Sequence, residues 1–286
     1  MSALVIGLIA FAAIAHATWN IAIKKAGTSG PSLLWLSFIV GTLVFAPFGV
    51  WTLFHSRVDL WHWLFLAVVS GSLQIVYFLL LQRGYRKGDV SVVYPLARGT
   101  GPLLTVIFAM ILFRERPGIL ALFGAALVIL GVVVTGLSRR SESSSNNKAG
   151  IIYGLLIGVI IAVYTLWDGA AVTESNMPPV GFYWGSVLFQ FVLLAPIGLR
   201  SPARLISTGK KHWLVVLILG VLAPLAYILV LLAFQMAPVS IVAPAREVSV
   251  VLVSLAGWLF FHEPNPVRRL VGAGIVLAGI VFLAVG

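Results

Sequence analysis

Two stretches of this chain decide its architecture. Residues 90–105 read VSVVYPLARGTGPLLT, and residues 239–253 read VSIVAPAREVSVVLV. Val90-Ser91-Val92-Val93-Tyr94-Pro95 recurs as Val239-Ser240-Ile241-Val242-Ala243-Pro244, an offset of 149. One residue is then lost and the register becomes 148, so that Ala97-Arg98 meets Ala245-Arg246. The match extends in order on both sides. Trp19-Asn20 pairs with Trp167-Asp168, Phe113 and Glu115 with Phe261 and Glu263, and Gly124 and Gly131 with Gly272 and Gly279. One such match is within reach of chance; an ordered series is an internal repeat.

What repeats is apolar. Of the 286 residues, 60% are hydrophobic and 9% charged, with a mean hydropathy of +1.08. A soluble domain is roughly half apolar and about a quarter charged, so this composition excludes an ordinary soluble enzyme, a coiled coil and a disordered chain. Lipid admits helices or closed barrels. Barrel strands alternate apolar and polar residues, whereas residues 1–23, 26–54, 60–82, 117–138 and 175–199 hold no Asp, Glu, Lys or Arg. Each is long enough for a helix crossing about 30 Å of hydrocarbon. The expectation is an all-α integral membrane protein of ten transmembrane helices, near 4–23, 32–54, 61–82, 90–112, 117–137, 150–172, 179–199, 213–234, 239–260 and 267–285.

Five spans per copy is an odd number, so the second copy enters the membrane inverted relative to the first. The expected organisation is a five-helix repeat over 1–140, a linker over 141–149 (overlapping the polar run SRRSESSSNNK, Ser138 to Lys148) and a second five-helix repeat over 150–286. Two similar halves in opposite orientations supply two states of comparable energy, open to opposite sides, which is the geometry of alternating access. The net charge of +11 sits in short loops. Fourteen Lys and Arg fall in the odd-numbered loops and three in the even-numbered ones. The positive-inside rule then places the odd loops in the cytoplasm and both termini outside. Orientation accounts for the charge, and no nucleic-acid partner is expected. The chain has no cysteine, hence no disulfide framework or thiolate. No cleavable signal peptide is expected, because the first apolar run lacks a basic leader.

Charges inside lipid cost about 2.5–3.5 kcal/mol each on insertion scales. Four fall within spans and sum to zero: Arg98, Asp168, Arg246 and Glu247. They can be ion pairs holding the halves together. They can equally line a cavity for a zwitterion, with a guanidinium on the carboxylate and Asp168 or Glu247 on the ammonium. Glu247 has Gly99 as its repeat partner, the clearest asymmetry between the halves. His16, Trp19 and Asn20 lie at i, i+3 and i+4, as do Tyr164, Trp167 and Asp168, so each set shares a helix face expected to look inward. Tyr94 and Arg98 share a face of the fourth span, and Tyr77 and Tyr227 fall at near-equivalent positions. All are candidate binding residues. Pro95 and Pro244 are candidate hinges, since proline removes a helix hydrogen bond. Trp51, Trp61, Trp63, Trp213 and Trp258 are expected in an interfacial belt. Gly124/Gly131 and Gly272/Gly279 are expected to pack the fifth and tenth spans tightly as a scaffold. No metal site, cofactor, ATP-binding loop or catalytic set is expected.

The paired motifs, the FRERP and FHEPN turns and the Gly-rich span after each resemble the drug/metabolite transporter superfamily, and within it the EamA-type members. The chain is also similar to YddG-type aromatic amino acid exporters. The resemblance implies a central cavity lined by both halves and ATP-independent export of small metabolites across a bacterial-type inner membrane. The combined expectation is a monomeric carrier of aromatic or large neutral amino acids. The alternatives are a multidrug or sugar-type carrier, or a membrane receptor that transports nothing.

Overall fold

In a computed structural model, residues 1–27, 30–136, 147–261 and 266–286 are described. They form eleven helices: α1 (Ala3–Ala26), α2 (Pro31–Ser56), α3 (Leu60–Lys87), α4 (Val90–Leu112), α5 (Ile119–Gly136), α6 (Asn147–Thr173), α7 (Pro179–Gly198), α8 (Pro202–Phe234), α9 (Val239–Ala245), α10 (Val248–Phe261) and α11 (Pro266–Val285). α9 and α10 together make the ninth of ten spans. Most of the 141–149 linker and residues 262–265, which hold Glu263 of the FHEPN turn, lie outside the described residues.

Helix starts follow local chemistry. The Ser2 side chain accepts from Val5 N at 3.3 Å and Asp59 from His62 N at 2.8 Å, each satisfying an amide that the helix leaves open. Pro31, Pro179 and Pro202 open helices, where proline's missing N–H costs nothing. Lys24 and Lys25 close α1, and Arg86 and Lys87 close α3, opposite the negative helix end. The helical stretch before the eighth span exceeds expectation. Residues 202–211 are helical and join the span across a bend at His212 (φ −124°, ψ 26°).

Packing follows the repeat. α1 lies on α8 and α6 on α3; α4 lies on α6 and α10 on α1; α2 meets α7 and α5 meets α11. Each relation has its mirror in the other half, and nearly every large contact crosses between halves. The α5–α11 seam is made by glycine. A Cβ at Gly124 would lie 2.6 Å from Gly279 O, and one at Gly279 would lie 2.7 Å from Gly124 O. At Gly131 it would meet Gly272 O at 2.7 Å. These backbones touch, and only hydrogen fits between them.

The outer surface is apolar, as lipid requires. Phe11, Phe48 and Phe54 are exposed. Trp51, Trp61 and Trp213, three of the five expected in an interfacial belt, are exposed. Trp63 departs from it. Its side chain is buried, donates to Gly181 O at 3.0 Å and stacks on Trp184 at 6.1 Å. It lies one turn inside α3, where the indole N–H has a carbonyl to bond. Trp258 is half-buried. Arg269, counted with the loops on sequence, is also buried, donating to Ser254 O at 2.8 Å and Ser254 Oγ at 3.0 Å.

The ninth span is broken. α9 stops at Ala245, and Glu247 N bonds back to Pro244 O at 3.0 Å and Ser249 N to Arg246 O at 3.2 Å. These tight three-residue bonds carry the chain across the gap to α10. The equivalent fourth span runs unbroken through Pro95 and Pro102. The ninth span is therefore interrupted where the fourth is not, and the interruption holds Arg246 and Glu247.

Candidate functional site

The break in the ninth span presents a carboxylate to two guanidiniums. Glu247 is buried, with a side chain 2% exposed. Its Oε1 lies 3.5 Å from Arg246 Nε and its Oε2 3.5 Å from Arg98 Nη1. Arg98 and Arg246 are the repeat-matched pair, so one acid joins the halves and leaves an excess positive charge. Both contacts are long for charge-assisted bonds, and Glu247 Oε2 makes no hydrogen bond. Arg246 Nη2 donates to Thr165 Oγ1 of α6 at 3.1 Å. The Arg98 guanidinium stands 5.8 Å from the centre of the Tyr94 ring, a cation–π distance. In the first half the equivalent position is Gly99, where a Cβ would already lie 2.9 Å from Val133 Cγ2.

Asp168 lies one turn along α6 from Thr165. It is 0% exposed. No arginine pairs with it among the described residues. Instead Asp168 Oδ2 accepts from Tyr227 OH at 2.7 Å and from Gln74 Nε2 at 3.3 Å, with Ser70 beside the carboxylate. Gln74 is the hub of this cradle. Its Nε2 also reaches Ser70 Oγ at 3.2 Å, and its Oε1 accepts from Tyr183 OH at 3.1 Å and Gln190 Nε2 at 3.2 Å. Asp168 Oδ1 has no hydrogen-bond partner. Of the two readings for the four charges, Glu247 fits the ion-pair one, and Asp168 does not.

A chain of tyrosines lies alongside the two poles. Tyr77 meets Tyr164 edge-on at 5.8 Å, Tyr164 meets Tyr227 at 6.3 Å, and Tyr227 meets Tyr183 at 4.7 Å. Each is an apolar plate with a polar rim. His16 of α1 is near enough to Arg98 and Arg246 for their charges to act on it. The structure thus brings together His16, Tyr77, Tyr94, Arg98, Tyr164, Asp168, Tyr227, Arg246 and Glu247.

Three candidates lie elsewhere. Trp19 packs edge-on to His16 at 4.8 Å and against the Leu33–Val216–Leu219 cluster. The Asn20 amide bonds its own helix at His16 O, 2.7 Å away. Trp167 turns toward α3, donating to Leu66 O at 3.1 Å and meeting Phe65 edge-on at 5.7 Å. It lines a wholly apolar crevice of about 360 Å³ with Phe108, Leu112, Phe113, Val159 and Val163. Shared helical spacing put Trp167 with Asp168, but a helix face spans enough arc for neighbours one residue apart to diverge.

Gln74, Ser70, Thr165, Tyr183 and Gln190 were not anticipated. A signal existed, because Gln74 and Gln190 are amides inside otherwise apolar spans. A buried amide needs partners as surely as a charge does.

Comparison with known proteins agrees with the fold and names its kind. The sequence pattern of the EamA-like transporter family matches residues 3–137 and again 148–285. A putative sugar uptake protein of Listeria monocytogenes is 24% identical over 72% of this chain and 73% of its own. A probable 4-amino-4-deoxy-L-arabinose-phosphoundecaprenol flippase subunit of Salmonella paratyphi C is 32% identical over 29% of this chain and 78% of its own. A riboflavin transporter of Vibrio cholerae is 28% identical over 38% of this chain and 44% of its own. One crystal structure superposes on 100% of this chain and 98% of its own with a TM-score of 0.76 at 18% identity, a likeness of fold.

Proposed function

This chain belongs to the EamA-like transporter family, and from that premise we propose that it exports amino acids, aromatic and large neutral ones foremost, by alternating access. It is a multi-pass membrane transporter; the substrate is the proposal. The observation that carries it is the pairing of two poles on α6. Arg246, anchored at Thr165, and Arg98 share a single acid, while Asp168, one turn away, has a free oxygen. One helical turn is about 5.4 Å, a span that a substrate bearing carboxylate and ammonium on one carbon bridges between side chains. The carboxylate takes the guanidiniums, the ammonium takes Asp168, and the side chain lies on Tyr77, Tyr164 and Tyr227.

A second reading has its own support. The Gln74–Tyr183–Gln190 network offers donors and acceptors without charge, which suits a polyhydroxylated solute, and one relative carries a sugar-uptake description. Counterflow of labelled phenylalanine in proteoliposomes separates the two. Exchange blocked by tryptophan and methionine but not by sugars supports the amino acid reading. Sugar-blocked exchange, or flux of sugar without phenylalanine, overturns it.

The remaining expectations belong to the same proposal. The carrier sits in a bacterial-type inner membrane with both termini outside, has halves at 1–140 and 150–286 joined by 141–149, and acts as a monomer. Pro95 and Pro244 serve as hinges; Pro244 stands two residues before the break at Arg246.

A further inference from the structure

The FRERP turn has no part in the site described above, yet its acid reaches across the molecule. Glu115 Oε1 accepts from Val239 N at 2.7 Å and Glu115 Oε2 from Ser240 N at 2.8 Å. The two oxygens thus hold the first two amides of α9. Arg114, just before it, has a left-handed backbone (φ 54°), a conformation that non-glycine residues rarely adopt. That turn aims Glu115 at α9.

What Glu115 holds is a short helix. All seven α9 residues are buried, and the helix is about 10 Å long. Its far end is the break that carries Arg246 and Glu247. Its near end packs on α6, one residue past Asp168 in the chain: a Cβ at Gly169 would lie 3.2 Å from Val239 Cγ2 and 3.7 Å from Phe113 Cε2. A second strut adjoins it, with Gln235 Nε2 donating to Val172 O at 3.1 Å. Glu115, Gln235 and Val239 all belong to turns after even-numbered spans, or their edges, and so lie on one face of the membrane.

We propose that Glu115 is the latch of the gate on that face: while its carboxylate grips the Val239 and Ser240 amides, α9 seals the central site from the even-loop side, and its release opens the site there. Glu115 is a positioning residue, acting through α9 on Arg246 and Glu247. The idea rests on the transporter fold and not on any particular substrate.

Since the chain has no cysteine, one reporter can be placed without background. Ser70→Cys puts a thiol beside Asp168. In proteoliposomes, its rate of modification by a membrane-impermeant methanethiosulfonate added on the even-loop side is measured with Glu115 intact and with Glu115→Ala. Two charge-assisted bonds are lost, so the rate is expected to rise by about tenfold or more. Glu115→Asp, which keeps the carboxylate, is expected to restore part of the protection. A monodisperse Glu115→Ala protein labelled at the unaltered rate overturns the proposal. If Glu115→Ala does not fold, Glu115→Gln, which keeps one acceptor, stands in, and an unaltered rate there overturns it equally. No substrate enters the measurement, so a wrong amino acid assignment leaves this test intact.

Discussion

Tyr227 donates its hydroxyl to Asp168 Oδ2 at 2.7 Å, fastening α8 to the buried carboxylate of α6 from within the second half. A hydrogen bond to a charged group contributes about 1.5–3 kcal/mol. Tyr227→Phe keeps the ring and removes that bond. The expected outcome is a rise of roughly tenfold or more in the KM for phenylalanine counterflow, with a smaller change in the maximal rate. A KM within twofold of the parent would take the Asp168 cradle out of the substrate site.

Glu247 is the only acid within ion-pair distance of Arg98 or Arg246 among the described residues. Removing one partner from a buried pair costs about 3–5 kcal/mol, because the charge left behind is uncompensated. Glu247→Gln leaves two such charges and is expected to lower the Tm in detergent by several degrees. The double variant Glu247→Gln/Arg98→Gln removes a charge of each sign and is expected to recover part of the loss. Additive losses in the double variant would mean that the two residues do not interact.

The glycine seam predicts a loss of stability without a change of specificity. Gly131→Ala places a methyl 2.6 Å from Val276 Cγ2 and 2.7 Å from Gly272 O, so two backbones must separate. Overpacking of this kind costs about 1–3 kcal/mol. Gly7→Ala, with nothing within 4 Å of the new carbon, is the matched control and is expected to leave the Tm unchanged or slightly raised, since alanine is the better helix former. Gly131→Ala should lower it while the ranking of competing substrates stays the same. Equal Tm values for the two would show that α5 and α11 are not in backbone contact.

Trp167 and Tyr164 are three residues apart on α6 yet face different surroundings. Tyr164→Ala is expected to weaken phenylalanine more than alanine in competition assays. Trp167→Phe, which keeps the apolar wall and drops the bond to Leu66 O, is expected to leave the ratio unchanged. A ratio that moves with Trp167 would return that residue to the specificity pocket.

The fold was legible because a membrane span is written in composition alone, and because the repeat fixed where the spans correspond. Arg98, Asp168, Arg246 and Glu247 were legible for the same reason, as charges stand out in an apolar background. Directions were harder. Helical spacing gives a face to within a third of a turn, which was too coarse to part Trp167 from Asp168. Neutral polar groups were harder still: Gln74, Gln190 and Tyr183 sit among apolar neighbours without the cost that marks a charge. The break after Ala245 was hidden because Pro95 and Pro244 occupy the same repeat position, while only the second half interrupts its helix. Trp63 shows the reverse error, with a residue near a span end drawn into the core by a carbonyl partner, Gly181.

The cross-packing of the halves bears on how the protein is made. α1 has its principal partner in α8, which follows it by about 200 residues of chain. At synthesis rates of about 5–20 residues per second, α1 waits on the order of ten to forty seconds in the bilayer before the helix it packs on has been made. α2 and α5 wait similarly for α7 and α11. During that interval Arg98 is already in the membrane and Glu247 does not yet exist, so the nascent first half carries an unneutralised guanidinium. Assembly of this transporter therefore lags its insertion, and Arg98 lacks its acid partner until the ninth span has been made.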